Sequence, residues 1–321
     1  MIALVFTGGT ISMRHDAAAG GVVPSLRGRE ILAAAGDVGA VAQVTVEDWG
    51  AFPGPHMDAG RQWALRARLA ELAACSHVSG VVVAHGTDTL EESAYLVARS
   101  VATATPIVFT GAMRAASDPA WDGPANLTDA IRVAAAPEAR SLGPLVTFGG
   151  QVWSALDVTK THTNATSAFA SPGLGPVGEV DAGQFRPSRR PVVPPVLGPD
   201  TLGEPVDIVF AHAGADARLL DASRESARGL VLVALGRGNV PPAMVPGVAR
   251  WIEDGKPVVV VSRTGAGRVG ETYAYPGGGR RLAELGVIFG GARRPQQARL
   301  DLMLALGLGL DRAQLAALFD A

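Results

Sequence analysis

The chain predicts an α/β fold of two domains, a larger N-terminal one on a mostly parallel sheet flanked by helices and a smaller C-terminal α/β one. Short β-branched apolar runs recur along its whole length, and helical patterns fall between them. At about 150 residues per domain, 321 residues correspond to roughly two domains. The runs are ALVF at 3, VTV at 44, GVVVA at 80, PIVF at 106, PLVTF at 144, DIVF at 207, GLVLVAL at 229, PVVVV at 257 and GVIF at 286. Most are continuous rather than alternating, the pattern of parallel strands covered on both faces. Between the second and third, DAGRQWALRARLAELA predicts a helix with Asp58 as N-cap and Leu65, Leu69 and Leu72 on one face. PVGEVDAGQFRP predicts a hairpin turning at Asp181, Ala182 and Gly183. From residue 182 to 206 the chain holds six of its 22 prolines and reads as a linker rather than a layered element. We therefore expect an N-terminal α/β domain over 1–190, a Pro-rich linker over 191–206 and a C-terminal α/β domain over 207–321.

Composition excludes several function classes. Hydrophobic residues make up 48% and charged residues 18%, far from the composition of disorder. A formal net charge of -2 gives no footprint for nucleic acid or for an anionic membrane surface. The single cysteine, Cys75, forbids an intrachain disulfide and suggests a reducing compartment. It ends an Ala/Leu-rich helical pattern and reads as a small buried hydrophobe, not a nucleophile. The start MIALVFTGGT lacks a basic segment and reaches glycine too early for a signal peptide, and no run approaches the roughly 20 apolar residues of a membrane span. A cytoplasmic protein is expected.

In open α/β sheets ligands collect at the carboxyl ends of strands. The first run ends in TGGT, the third in HGTDT and the fourth in TGAMR, while the fifth leads through FGGQVWSALDV to TKTHT. TGGT is no dinucleotide fingerprint, which needs three spaced glycines and a later acid, nor a P-loop, which needs Gly-Lys-Ser/Thr. The Gly-x-Ser-x-Gly elbow is missing. The histidines at 15, 56, 77, 85, 162 and 212 offer no metal-ligand spacing. No metal and no cofactor are expected, and threonine chemistry remains. A threonine hydroxyl needs a base, for which a lysine serves if desolvation and neighbouring positive potential lower its pKa. Thr87, Asp88 and Lys160 are the candidates. A lysine after a strand-like segment is, taken alone, more often a solvated end; its partners shift that balance.

TGGTIS at 7–12 and HGTDTLEE at 85–92 resemble the two signature motifs of the bacterial-type L-asparaginase/glutaminase family. GAMRAASDPAWDGPANLTDAI at 111–131, VTKTHT at 158–163, GRGNVP at 236–241 and RRPQQARLDLMLAL at 293–306 fall in the family's order and spacing, so the likeness covers nearly the whole chain. The resemblance implies a homodimer or homotetramer with sites at a subunit interface, a small-molecule amide substrate and no cofactor. It makes Thr10 the nucleophile that attacks the side-chain amide of L-asparagine. Thr87, Lys160 and Asp88 form the second group, in which the lysine assists the threonine and the aspartate holds the substrate's α-ammonium. Ala112 contacts the amide through its backbone, and Asn239 approaches from the other domain or subunit. With Gly54, His56 and Gly86 these complete the expected substrate-binding set. The reaction implied is acyl transfer to Thr10, release of ammonia and hydrolysis of a β-aspartyl ester, with backbone N–H groups around Thr87 holding the oxyanion.

The match also departs from the family. Members with a long mobile loop carry a tyrosine near the first threonine, whereas MRHDAAAGGVVPS has none and the chain's three tyrosines are Tyr95, Tyr273 and Tyr275. Arg14 and His15 are candidates only by proximity and read as solvated loop side chains. Gly54 stands where a serine often binds the α-carboxylate, and Pro55 where a glutamine often stands, which leaves His56 as a replacement donor. Gln297 replaces a common lysine and reads as structural. The alternatives are a glutaminase-type or other amidase of the family, the glutaminase-like subunit of an archaeal-type transamidosome, and a catalytically weak ligand-binding homologue. The subunit carries an added N-terminal domain where this chain begins at its first strand. Retention of Thr10, Thr87, Asp88 and Lys160 argues against the weak homologue.

Overall fold

Residues 1–36 and 38–320 are described by the computed structural model, and they divide into two compact units, Met1–Val196 and Leu197–Ala321. In chain order the first unit comprises β1 (Ile2–Gly8), β2 (Met13–Asp16), β3 (Gly21–Pro24), α1 (Gly28–Ala34), β4 (Val44–Phe52), α2 (Ala59–Ala74), β5 (Gly80–Ala84), α3 (Leu90–Ser100), β6 (Ile107–Thr110) and α4 (Gly123–Ala135). It continues with β7 (Leu145–Phe148), β8 (Gln151–Ser154), β9 (Thr159–Lys160), β10 (Phe169–Ala170), β11 (Gly178–Asp181) and β12 (Gln184–Pro187). The second unit comprises β13 (Val206–Phe210), α5 (Arg218–Arg224), β14 (Gly229–Ala234), α6 (Val245–Glu253), β15 (Val258–Ser262), α7 (Gly279–Leu285), β16 (Ile288–Phe289), α8 (Pro295–Gly307) and α9 (Arg312–Asp320).

Eight strands of the first unit form one sheet in the order β12-β11-β8-β7-β6-β5-β1-β4. The five from β7 to β4 are mutually parallel, and β8, β11 and β12 extend the sheet antiparallel. The continuous apolar runs follow from burial on both faces. Val81 and Val83 of β5 join Leu65, Leu69, Leu90 and Val97 in one core layer, while Val82 and Ala84 join Ile31, Leu127 and Ile131 in the other. Every residue of β1 and β5 is buried, so alternation would have placed polar atoms in apolar surroundings.

Asp58 caps α2, its Oδ1 accepting the Arg61 N–H at 2.8 Å; Leu65 and Leu69 are fully buried and Leu72 lies at the rim. Cys75 is half-buried rather than buried, because it ends the helix, with its thiol donating to the Glu71 carbonyl at 3.3 Å. In the hairpin Asp181 pairs with Gln184, so the turn is the two residues Ala182 and Gly183, at φ 47° and 78°, the left-handed geometry of a tight hairpin. Gln184–Pro187 is therefore the sheet's outer strand, a correction to the reading of residue 182 onward as linker; proline is admissible there because an edge strand leaves donors unpaired. The stretch after Thr10, read as a loop, pairs as the ribbon β2–β3.

The second unit has a four-stranded parallel sheet in the order β13-β14-β15-β16 around Trp251, Leu282, Met244 and Val260. Gln297, buried in the first turn of α8, accepts the Arg294 N–H at 3.0 Å, a helix-starting contact that accounts for it structurally. No helix among the described residues is long and apolar enough to cross a membrane.

Candidate active site

Three strand ends of the first unit meet through bare backbone. A Cβ on Gly9 would lie 2.3 Å from the Gly86 Cα, and one on Gly86 would lie 2.6 Å from the Gly54 Cα. The turns after β1, β4 and β5 thus touch where any side chain would part them. Gly8 and Gly9, at φ 107° and 80°, reverse the chain after Thr7, and the Gly9 N–H donates to the Phe52 carbonyl at 2.9 Å. Thr7 is buried and donates its hydroxyl to the Ala84 carbonyl at 3.2 Å, which ties β1 to β5. Thr10 opens a short 3-10 turn braced by Ser12 Oγ on the Gly9 carbonyl at 2.9 Å. It is half-exposed, and among the described residues its hydroxyl makes no hydrogen bond.

Lys160 Nζ donates to Thr87 Oγ1 at 3.0 Å and pairs with Asp88 Oδ1 at 2.8 Å, joining groups more than seventy positions apart. Lys160 sits on the small β9–β10 ribbon, outside the main sheet, and its N–H donates to the Glu91 carboxylate. Glu91 lies in the first turn of α3, the helix that follows Thr87 and Asp88, so a single element positions all three groups. Glu91 stands within HGTDTLEE, where nothing in the linear pattern marks its contact with a residue 69 positions on. The expected neighbouring positive potential is corrected: the charge beside Lys160 is the Asp88 carboxylate, since the β9 turn brings the ammonium to an acid rather than to another base.

His85, in the same motif, holds no metal spacing but a structural place. It is fully buried, with Nδ1 2.9 Å from the Gly86 carbonyl and Nε2 3.0 Å from Ser93 Oγ. A carbonyl can only accept, so Nδ1 carries the proton and Nε2 accepts from the serine. Because a trans peptide holds its C=O and N–H antiparallel, the Thr87 N–H points away from this buried ring. Burial lowers the His85 pKa from 6.5 to about 4. As pH falls through this window the unfolded chain takes up a proton that the folded protein refuses. Its contribution is therefore fully present above pH 6.5 and declines by ~1.4 kcal/mol per pH unit down to about pH 4. Urea midpoints measured between pH 7 and 4 should fall accordingly and flatten in a His85→Gln variant. An equal fall in both proteins would assign the loss to other groups.

Gly54 opens the 3-10 turn Gly54–His56, and its carbonyl accepts the Thr89 hydroxyl at 2.8 Å. His56 is exposed, and its carbonyl accepts from Arg61 Nη1 at 2.6 Å. Ala112 is buried beyond β6 in a turn whose Gly111 packs against the site: a Cβ there would lie 2.4 Å from the His85 carbonyl oxygen and 3.5 Å from Thr87 Cγ2. The structure thus gathers Thr10, Gly54, Gly86, Thr87, Asp88, Lys160 and the Ala112 turn at one sheet edge. Arg14 and His15 are exposed on β2, where the His15 N–H donates to Ser117 Oγ at 3.1 Å. Asn239 belongs to the second unit, where its Oδ1 accepts the Gly279 N–H at 3.2 Å. Tyr95 is buried in α3, and Tyr273 and Tyr275 are exposed in the second unit.

Residues 1–193 match the family model described as Asparaginase, N-terminal, and residues 205–319 the one described as Glutaminase/Asparaginase C-terminal domain. The chain is 39% identical to a probable L-asparaginase of Deinococcus radiodurans, over 99% of this chain and 96% of that one. It is 35% identical to L-asparaginase 2 of Bacillus subtilis, over 80% of this chain and 68% of that one. A crystal structure of a probable cytoplasmic L-asparaginase from Campylobacter jejuni superposes with a TM-score of 0.87 at 27% identity, covering 99% and 98% of the two chains.

Proposed function

The chain belongs to the bacterial-type L-asparaginase family, and on that footing we propose that it cleaves the side-chain amide of L-asparagine to aspartate and ammonia through an ester on Thr10. Its activity is that of an L-asparaginase, an amidohydrolase. The observation that carries the threonine reading is the meeting of a strand-end hydroxyl and a carboxylate on one ammonium, Lys160 Nζ lying 3.0 Å from Thr87 Oγ1 and 2.8 Å from Asp88 Oδ1.

Asp88 receives the substrate's α-ammonium. That charge shares the carboxylate with Lys160 and adds positive potential beside it. Thr10 Oγ1 attacks the amide carbon, and its proton passes by way of the Thr87–Lys160 pair to the nitrogen, which leaves as ammonia when the C–N bond breaks. Water then attacks the ester, giving its proton to the same pair and returning Thr10 its hydroxyl hydrogen. The Thr87 N–H, which points away from His85, stabilises the oxyanion of both steps in this scheme, a contribution of a few kcal/mol for one donor. Ammonia release from L-asparagine, L-glutamine and their D-forms tests the reading; a protein silent on all four would sink it.

Gly54 governs affinity in this scheme. Its N–H remains a donor, but no hydroxyl is present and Pro55 has no N–H, so weak α-carboxylate binding and a high KM are expected, with His56 as the substitute donor. A Cβ on Gly54 would lie 3.1 Å from Asp88 Cβ and 3.3 Å from Asp88 Oδ2, so a serine must push Asp88 by a few tenths of an ångström. The hydroxyl's effect is therefore read against alanine: KM for L-asparagine should be several-fold lower in Gly54→Ser than in Gly54→Ala at similar kcat. Equal KM values would show that backbone and water already fill the role.

The working form is a homodimer or homotetramer in which Asn239 of a second copy completes the pocket. Light scattering that found a fully active monomer at assay concentration would overturn this. The single cysteine and the likeness to the probable cytoplasmic L-asparaginase of C. jejuni favour a cytoplasmic location.

A further inference from the structure

We propose that Asp122 is a positioning residue: it aims the Ala112 carbonyl and strengthens it as the acceptor for the substrate's carboxamide N–H, so that the site favours the amide over the carboxylate that replaces it. This rests on the reading above that Ala112 contacts the amide through its backbone.

The chain leaves β6 at Thr110 and turns through Gly111 to Arg114, and both peptide groups flanking Ala112 are clamped from α4. Asp122, just before the helix, accepts the Met113 N–H on Oδ1 and Oδ2 at 3.1 Å each and the Arg114 N–H on Oδ1 at 2.9 Å. Asn126, one turn in and buried, donates from Nδ2 to the Gly111 carbonyl and to Asp122 Oδ2, both at 3.1 Å. Its Oδ1 accepts the Gly149 N–H at 3.0 Å, which fixes the amide orientation. The Ala112–Met113 bond is trans, so its C=O lies antiparallel to its N–H. With that N–H held on Asp122, the Ala112 carbonyl points away from α4. Gly111, against Thr87 Cγ2 and the His85 carbonyl, keeps the turn on the strand-end edge that carries the hydroxyls.

A charged acceptor on one end of a peptide group draws that N–H and leaves its oxygen a stronger acceptor. A carboxamide meets such an oxygen with a donor. An ionised carboxylate has only lone pairs and meets it with repulsion. The same carbonyl thus holds the side chain as an amide and expels it as an acid.

The test compares KM for L-asparagine with the inhibition constant of L-aspartate in the full-length wild type, in Asp122→Asn and in Asp122→Ser, whose uncharged hydroxyl is a second neutral acceptor if the amide variant folds poorly. Both constants belong to the folded fraction and do not depend on its size. KM should rise several-fold while aspartate inhibition tightens several-fold, opposite movements that a loosened site would not produce. Removal of a negative charge acting only at a distance would tighten aspartate and leave KM for the amide unchanged, which would overturn the proposal. So would weakening of both constants together, or movement of neither, in an enzyme whose wild type hydrolyses asparagine through Thr10. A wild type that releases no ammonia from any amide would remove the Ala112 reading itself.

Discussion

Thr10→Ala is expected to lower ammonia release from L-asparagine by more than about a thousandfold while leaving the thermal midpoint where it is. The rate falls because the bond-forming oxygen is gone, and loss of a covalent nucleophile removes several orders of magnitude even when every other group stays in place. The fold does not suffer, because the hydroxyl is half-exposed and holds no hydrogen bond among the described residues. The turn itself is set by Gly8 and Gly9 and by Ser12 on the Gly9 carbonyl, none of which alanine disturbs. Thr87→Ala should be as severe in rate but less silent in stability, since Thr87 is buried and accepts from Lys160. Retention of more than about a tenth of the wild-type rate by either variant would remove that residue from its role.

Lys160→Met should cost roughly 10²–10⁴ in kcat with a smaller change in KM, the range ordinarily supplied by a positioned proton acceptor. Methionine keeps most of the apolar stem, and Asp88, whose side chain is 55% exposed, turns to water when its partner is removed. The variant should therefore fold normally, because an ion pair whose acid is exposed to water contributes little to stability. An unchanged rate together with an unchanged pH profile would leave Lys160 as a solvated strand end.

Why the strands were legible and parts of the site were not is a matter of physics. A strand in the middle of a covered sheet must be apolar on both faces, so β1, β5, β14 and β15 announce themselves as unbroken runs. The ribbon β2–β3 has only partial cover, carries Arg14, His15 and Asp16 exposed, and leaves no such run. β12 was obscured by its proline, which an outer strand tolerates. Glu91, His85, Asp122 and Asn126 act by hydrogen bonds to backbone groups or through a backbone turn, and such contacts impose no spacing that a linear reading could detect.

Taken by itself, the sequence determined the fold class, the parallel strands of the two larger sheets, the glycine turn that presents Thr10 and the residue types at the sheet edge, because each depends on local conformation or on burial pattern. Tertiary structure alone decided that Lys160 meets Thr87 and Asp88, that the charge beside Lys160 is negative, and that Gly9, Gly86 and Gly54 touch backbone to backbone. Those facts depend on the spatial order β6-β5-β1-β4 and on where the β9 ribbon crosses that edge, and the free energy selecting that order is spread over two whole core layers rather than written in any one segment.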